Sequence, residues 1–193
     1  MRDTILFGDC RQTLKEFDEQ ARMCVTSPPY YGLRDYGGED SQIGQEQTPD
    51  EFIDQLVNVF KEVRNVLTDD GTCWVNLGDS YYNYRPGKGQ GLPRQTVANT
   101  KQDLPDVCPR RGNRIEGLKE KDLIGIPWLF AFAMRNDGWY LRQDIIWHKP
   151  NPMPESVRDR CTKSHEYIFL FSKNRKYYYN NEAIKEPAKD WGT

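Results

Sequence analysis

Short apolar runs that end in turn residues alternate along this chain with longer segments whose apolar residues recur at helical spacing. The apolar runs predict strands at residues 4–9, 22–27, 72–79, 139–150 and 165–173. The helical spacing predicts helices over residues 11–17, 48–67 and 126–136. Because alternating strands and helices are typical of an α/β domain, we expect a mostly parallel sheet that ends in an antiparallel C-terminal hairpin.

The second predicted helix has a clear start signal. Thr48, Pro49 and Glu51 match a capping box with proline at the first helical position. The apolar positions that follow are Phe52, Leu56, Val59, Phe60, Val63 and Leu67. The polar residues TDDG, at 68–71, then predict the end of the helix before the third strand.

The composition is that of one folded domain spanning residues 1–193. The hydrophobic fraction is 37%, which together with the glycines is usual for a globular protein. No segment reaches the roughly 20 apolar residues of a membrane-spanning helix, and no signal peptide is evident, so we expect a cytoplasmic protein. The five cysteines are widely spaced, and there are only two histidines. Neither a disulfide framework nor a metal site is expected.

Basic residues are concentrated in the second half of the chain. Residues 1–80 carry 7 basic and 16 acidic side chains, whereas residues 81–193 carry 20 and 13. Residues 81–122 resemble a long irregular insertion within the domain, rich in glycine, proline and tyrosine. We expect the second half to meet a polyanion. The candidate phosphate contacts in the insertion are Arg85, Lys88, Arg94, Lys101, Arg110, Arg111 and Arg114.

The tetrapeptide Ser27-Pro28-Pro29-Tyr30 follows the second apolar run. Proline has no N–H and a fixed φ, so the strand ends here and the backbone is held rigid. At the carboxyl ends of the strands, the freed carbonyls lie with a hydroxyl group and an aromatic ring. This combination suits a planar group that bears an amino function, because oxygens accept its N–H groups and the ring stacks on its face. The alternative is a strand terminator with a packed tyrosine.

The tetrapeptide resembles the (D/N/S)-P-P-(Y/F) signature of the DNA amino-methyltransferases, which move a methyl group from S-adenosylmethionine to an exocyclic base nitrogen. Residues 7–10, FGDC, are similar to the turn at which that family holds the cofactor adenine. Residues 70–81, 137–156 and 165–180 look like later family blocks in their usual order. The resemblance covers residues 4–181. It implies a Rossmann-like methyltransferase fold and double-stranded DNA as the partner.

The resemblance also implies a catalytic role for Ser27, Pro28, Pro29 and Tyr30. The target base would be flipped out of the duplex, and its amino nitrogen would be held by the Ser27 side chain and the Pro28 carbonyl. Positioning and electrostatics would carry the rate, with no covalent intermediate. Serine at the first position resembles cytosine-N4 enzymes more than adenine-N6 enzymes, and both stay open.

The cofactor contacts that the resemblance implies are Asp9, Cys10 and Ser27. The family's F-x-G-x-G loop, which cradles the methionine part of the cofactor, is not found, nor is an acidic residue for the ribose. Residues 87–91, GKGQG, follow no apolar strand and precede no helix pattern, so they indicate a loop tip. The cofactor site predicted from the sequence is therefore only partial.

The order of the blocks resembles the circularly permuted subgroup, in which the cofactor loop comes last. This predicts that two central strands of the sheet are missing, as in a truncated product, an engineered fragment or one half of a split enzyme. An apolar sheet edge would then be exposed. Self-association or a partner chain would cover it.

The remaining polar residues near the strand ends have structural interpretations. The chemistry needs no histidine base, so Trp147 and His148 are predicted to be structural or to line the pocket. His165 and Glu166 are expected to cap their strand. Asp79 either reaches the crevice or forms a plain turn.

Two other functions stay open. Relatives with N-P-P-Y modify RNA or protein glutamine, although Ser27 and the basic insertion argue against these substrates. The other possibility is a truncated, inactive DNA-binding or interaction module of the same fold. A tritium-transfer assay on DNA, RNA and protein would separate the substrate classes.

Overall fold

A computed structural model describes residues 4–33, 42–82 and 115–187. The helices are α1 (Cys10–Thr13), α2 (Pro49–Val66) and α3 (Ile126–Asn136), and a short 3₁₀ helix spans Glu182–Ile184. The strands are β1 (Ala21–Thr26), β2 (Leu67–Leu77), β3 (Tyr140–His148) and β4 (His165–Ser172). Within the described ranges, no helix is both long and apolar enough to cross a membrane.

The four strands form one sheet in the order β1-β2-β4-β3. β1 and β2 are parallel, whereas β4 is antiparallel to both β2 and β3. The α/β class and the C-terminal hairpin are confirmed. The sheet was expected to be mostly parallel, but in the described ranges it is mixed, because the hairpin supplies two of its four strands and only β1 and β2 are parallel. β2 begins at Leu67 rather than at Thr72, because Leu67 pairs with Ala21 before a shift in register brings Thr72 opposite Met23.

The core of the protein lies between the sheet and the two long helices. α2 begins with the predicted capping box: the Thr48 hydroxyl accepts the Glu51 N–H at 3.2 Å, and the Glu51 carboxylate accepts the Thr48 N–H at 3.1 Å. Phe60 of α2 lies 5.2 Å from Phe130 of α3, centroid to centroid, and Phe130 lies 5.9 Å from Phe171 of β4. These rings join both helices to the middle of the sheet.

The strand predicted at residues 4–9 is wrong. These residues form irregular chain before α1, and Ile5, Leu6 and Phe7 are 77%, 48% and 88% exposed. A strand is stable only when another strand satisfies its backbone N–H and C=O groups. No strand of the described ranges pairs with this run, so its apolar side chains stay at the surface.

β1 forms one edge of the sheet. Among the described strands it pairs only with β2, and its Met23 and Val25 are 58% and 69% exposed. This is the exposed apolar edge that we predicted for an incomplete sheet. Unpaired backbone groups beside apolar side chains favour pairing with another strand.

The insertion predicted at residues 81–122 has a short, ordered stem. Tyr81 forms a bridge with Leu123, and the Tyr82 N–H donates to the Asp122 carbonyl at 2.8 Å. The Lys121 N–H donates in turn to the Tyr82 carbonyl at 2.8 Å. The stem therefore leaves the sheet close to the carboxyl end of β2, whereas residues 83–114 lie outside the described ranges.

Candidate active site

The tetrapeptide Ser27–Tyr30 leaves the sheet at the carboxyl end of β1. Thr26 is the last residue of β1 that pairs with β2, and the two prolines that follow Ser27 cannot donate to a ladder. Ser27 and Pro29 are exposed, while Pro28 and Tyr30 are half-buried. The tyrosine ring is therefore not sealed in the core, and the oxygens of the tetrapeptide lie at the surface.

The Tyr30 hydroxyl lies between two acceptors from other strands. It is 2.8 Å from Oδ1 of Asn76 in β2 and 3.0 Å from Oε2 of Glu166 in β4. The Asn76 amide is oriented by its Nδ2, which donates to the Tyr167 carbonyl at 3.1 Å. The end of β1 is thus connected to the two middle strands of the sheet.

Ser27 keeps acceptor capacity toward solvent. Its Oγ is 3.5 Å from the Tyr30 hydroxyl and 3.5 Å from Oδ1 of Asn76, so its proton has two weak inward acceptors. In the described part of the chain, no hydrogen bond reaches the Pro28 carbonyl. Two oxygens of the tetrapeptide can therefore accept N–H groups from a ligand.

Two glycines make room for the tetrapeptide. A Cβ at Gly78, just beyond β2, would lie 2.6 Å from Cε2 of Tyr30, which is too close for any side chain. A Cβ at Gly44 would lie 3.3 Å from Cβ of Pro29, and Gly44 has a φ of +100° that favours glycine. The tyrosine ring and the second proline are thus packed directly against backbone.

A charged pair borders the Tyr30 hydroxyl. Lys149, just after β3, donates to Oε1 of Glu166, whose other oxygen accepts from Tyr30. Burial alone would raise the pKa of Glu166, but the hydrogen bonds from Lys149 and Tyr30 outweigh it and leave that pKa lowered. Burial, with a smaller contribution from the Glu166 charge, raises the pKa of the Tyr30 phenol. Glu166 is therefore ionised and Tyr30 protonated at neutral pH.

Three residues of the site were not predicted from the sequence: Asn76, Lys149 and Glu166. Glu166 does not simply cap its strand, because it binds Tyr30 and Lys149. A polar residue inside an apolar run was the available signal for Asn76. Lys149 and Glu166 lie at the end of the predicted hairpin. In the register of that hairpin Glu166 pairs with Trp147, so Lys149, two residues further along the chain, comes close to Glu166.

Asp9 lies in a turn of its own, apart from the hydrogen bonds around Tyr30. It begins α1, where its Oδ1 accepts the Arg11 N–H at 2.9 Å, and the Arg11 Nε lies 3.0 Å from both carboxylate oxygens. The side-chain hydrogen bond from Arg11 lowers the pKa of Asp9. Cys10 is exposed beside it. Asp9 could contact a cofactor adenine only if Arg11 gave up part of this contact.

The other polar residues near the strand ends are placed differently. Asp79 accepts the N–H groups of Gly125 at 3.0 Å and Ile126 at 3.1 Å, so it caps α3 rather than facing a crevice. His148 is exposed at the end of β3, opposite His165. His165 contacts the edge of the Tyr167 ring at 5.3 Å. None of these contacts makes either histidine a partner of the tetrapeptide.

The predicted DNA contacts and the loop tip at residues 87–91 fall within residues 83–114, outside the described ranges. The stem of that insertion is braced by the loop between β3 and β4. Arg160 stacks 3.9 Å from the centroid of the Tyr81 ring, and Lys121 pairs with Asp159. Among the described residues, no cluster of three or more His, Cys, Asp or Glu side chains could hold a metal ion.

Similar proteins were found by sequence. A family model described as DNA methylase, of the N6/N4 type, matches residues 21–193. The type II methyltransferase M.SmaI of Serratia marcescens is 53% identical over 96% of this chain, and M.Cfr9I of Citrobacter freundii is 50% identical over 98%. The chain spans 61% and 60% of these two relatives.

Similar solved structures agree in fold. The PvuII DNA methyltransferase, described as cytosine-N4-specific, matches with a TM-score of 0.58 and 17% identity over 92% of this chain and 51% of that one. The protein TTHA0409 of Thermus thermophilus, solved with S-adenosyl-L-methionine, gives a TM-score of 0.55 and 21% identity over 91% of this chain and 55% of its own. With the family match over most of its length, the chain belongs to the N6/N4 DNA methylase family.

Proposed function

We propose that this chain is the catalytic part of a DNA methyltransferase that transfers a methyl group from S-adenosylmethionine to an exocyclic amino group of a base. The observation that carries this proposal is that two oxygens of the tetrapeptide are available to accept hydrogen bonds. Ser27 Oγ is exposed with its two weak acceptors on the inward side, and the Pro28 carbonyl is free of hydrogen bonds within the described ranges. Two acceptors are what an everted amino group needs.

The chain's own residues do the positioning. Ser27 Oγ and the Pro28 carbonyl accept the two amino N–H groups, which favours a pyramidal nitrogen with an available lone pair. The rigid backbone of Pro28 and Pro29 holds these oxygens in place, and Tyr30 offers its ring to the base. Effective positioning of this kind contributes much of the rate in reactions that need no protein nucleophile.

S-adenosylmethionine, when bound, would supply the methyl group: the amino lone pair would form the new N–C bond as the S–C bond breaks, the sulfur would leave as a neutral thioether, and the amino proton would pass to water. Asp9, Cys10 and Ser27 are the residues that would hold the cofactor. The exposed apolar side chains of residues 5–7 could cover a planar ring beside Asp9, but the carboxylate is in contact with Arg11. We therefore propose that cofactor binding draws Asp9 partly away from Arg11.

We propose cytosine N4 as the acceptor, because the tetrapeptide begins with Ser27. Serine at this position resembles cytosine-N4 enzymes more than adenine-N6 enzymes, which usually have aspartate there. Adenine N6 is the alternative. Double-stranded DNA would be contacted through the basic residues of the insertion, whose stem leaves the sheet beside Gly78.

We also propose that further polypeptide covers β1: the rest of a longer chain, a second copy or a separate partner chain. The support is the exposure of Met23 and Val25 on a strand that pairs on one side within the described ranges. The same observation favours a second candidate function, an inactive DNA-binding or interaction module. In that module the tetrapeptide would be a remnant.

The deciding experiment is mass spectrometry of nucleosides from DNA treated with the protein and S-adenosylmethionine. We expect N4-methylcytosine from the wild-type protein and far less of it from Ser27→Ala, which is the matched control. N6-methyladenine would overturn the choice of base, and no product would mean that this chain does not transfer methyl on its own, either because it needs the covering polypeptide or because it is an inactive module. Calorimetry of S-adenosylmethionine binding to the isolated chain tests whether further polypeptide is required. Tight binding by the monomer would show that the cofactor site does not need it.

A further inference from the structure

We infer that Glu166, held by Lys149, is a positioning residue that fixes the direction of the hydrogen bonds at the tetrapeptide and so keeps Ser27 an acceptor. The inference rests on the proposed amino-methyl transfer and adds to it a residue outside the tetrapeptide. It is needed because nothing within the tetrapeptide fixes that direction. Serine and tyrosine hydroxyls can each donate or accept.

Glu166 determines which partner donates in each of these hydrogen bonds. An ionised carboxylate only accepts, and with Lys149 on Oε1 of Glu166, the free Oε2 lies 3.0 Å from the Tyr30 hydroxyl. Asn76 presents its oxygen to the same hydroxyl, because its Nδ2 is engaged by the Tyr167 carbonyl. Both neighbours of Tyr30 on this side are acceptors, so the phenol proton points inward.

The same direction passes to Ser27. When the Tyr30 hydroxyl donates its proton to Asn76 or Glu166, its oxygen can accept a proton only from the opposite side. On that side lies the Ser27 Oγ, at 3.5 Å. The Ser27 proton then also points inward, and its lone pairs face solvent, where an amino group would arrive. If Glu166 became neutral, it could donate to Tyr30, and the phenol proton could turn toward Ser27. Of the two inward acceptors described above, the Ser27 proton would then keep only Asn76 Oδ1 at 3.5 Å, and it would compete with the amino hydrogens for the space facing the base.

Lys149 keeps the carboxylate in the state that this arrangement requires. The side chain of Glu166 is only 18% exposed, and an unpaired carboxylate at such a position would tend to take up a proton. The Lys149 backbone N–H donates to the Ser164 carbonyl at 2.7 Å, which closes the hairpin and holds the ammonium group beside Glu166. The pair therefore acts through Tyr30 and does not itself touch the base.

The test compares Glu166→Gln with wild type in methyl transfer to DNA. We expect kcat to fall about 10- to 100-fold with KM changed less than about threefold, because orientation is lost while binding is kept. The decrease of kcat on the acid side of the pH profile should disappear in the variant, whereas a merely structural defect would leave the profile's shape unchanged. Lys149→Met should move that acid limb to higher pH. The matched control is Glu182→Gln, which neutralises an exposed ion pair with Lys185.

A second measurement does not depend on activity. The ultraviolet titration of wild type minus that of Tyr30→Phe isolates the Tyr30 phenol, and the same difference is taken in the Glu166→Gln background. We expect the pKa of Tyr30 to fall when the Glu166 charge is removed. An unchanged phenol titration overturns the inference even if no variant transfers methyl, a result that counts separately against the proposed function. Wild-type kcat and pH profile in an active Glu166→Gln protein overturn the inference alone.

Discussion

The Tyr30 hydroxyl lies 3.0 Å from the Glu166 carboxylate, across 136 positions of sequence. This contact connects the end of β1 to the start of β4, and Asn76 of β2 completes it at 2.8 Å. The end of β1 is therefore connected to β2 and β4, the two middle strands of the sheet. A change in strand pairing far from Ser27 would alter the geometry of the site.

Removing the Ser27 hydroxyl tests its direct role. In an active preparation, Ser27→Ala should lower kcat about 10²- to 10³-fold, because one preorganised partner of the reacting group is lost. DNA affinity, measured by fluorescence anisotropy, should change little. Ser156→Ala, at an exposed serine of the β3–β4 loop, is the control and should behave like wild type. Equal activity in both variants would remove Ser27 from the mechanism.

A methyl group at Gly78 should displace the Tyr30 ring. The new Cβ would lie 2.6 Å from Cε2, so Gly78→Ala should cost about 1–3 kcal/mol of unfolding free energy. Urea denaturation of a double-mutant cycle with Tyr30→Ala measures the coupling. The cost of the added methyl should largely vanish once the ring is gone. An equal cost in both backgrounds would mean that the strain lies elsewhere.

The carboxylate of Asp79 should stabilise the start of α3, although it lies 46 positions before Gly125 in the sequence. The N-cap residue of this helix is Gly125, which has no side chain, and Asp79 accepts its N–H and that of Ile126. Asp79→Ala should therefore lower the unfolding free energy by about 0.5–2 kcal/mol, as for the loss of an N-cap. Asp159→Ala breaks only an exposed ion pair with Lys121 and should have a much smaller effect. Equal losses would contradict the capping role.

The contact between Asp9 and Arg11 should make stability depend on pH. The hydrogen bond from Arg11 lowers the pKa of folded Asp9 below its ordinary value of 3.8. Its stabilising contribution is thus fully present above that value and is lost as the pH falls through the folded pKa. The gap in unfolding free energy between wild type and Arg11→Ala should therefore be larger at neutral pH than in strong acid. A gap that stays constant with pH would refute the contact.

The basic residues of the insertion should strengthen binding to DNA of any sequence. Replacing Arg110, Arg111 and Arg114 by alanine should weaken binding to all duplexes alike. The slope of log affinity against log salt should become less steep by about 0.9 for each phosphate that is no longer neutralised. An unchanged slope, measured by anisotropy between low and moderate salt, would remove these arginines from the interface.

The two long helices and the hairpin could be predicted because their signals are local, whereas the helix predicted at residues 11–17 is limited to Cys10–Thr13. The capping box at Thr48 and Pro127 near the start of α3 specify helix starts whatever the surroundings. The run at residues 4–9 misled the prediction, since apolarity alone does not provide a partner strand. The site shows the same limit: Ser27 and Tyr30 stand in a recognisable tetrapeptide, whereas Asn76 and Glu166 join it only through strand register, which the sequence does not display.

The hairpin of β3 and β4 is closed at its foot. His148 pairs with His165, and the next backbone contact, from Lys149 to Ser164, is the last before residues 150–163 leave the sheet. Lys149 and Glu166 are thus placed by the hairpin itself. A change of length within residues 150–163 should therefore alter the loop that stacks on Tyr81, while the contacts of the Tyr30 hydroxyl stay as they are.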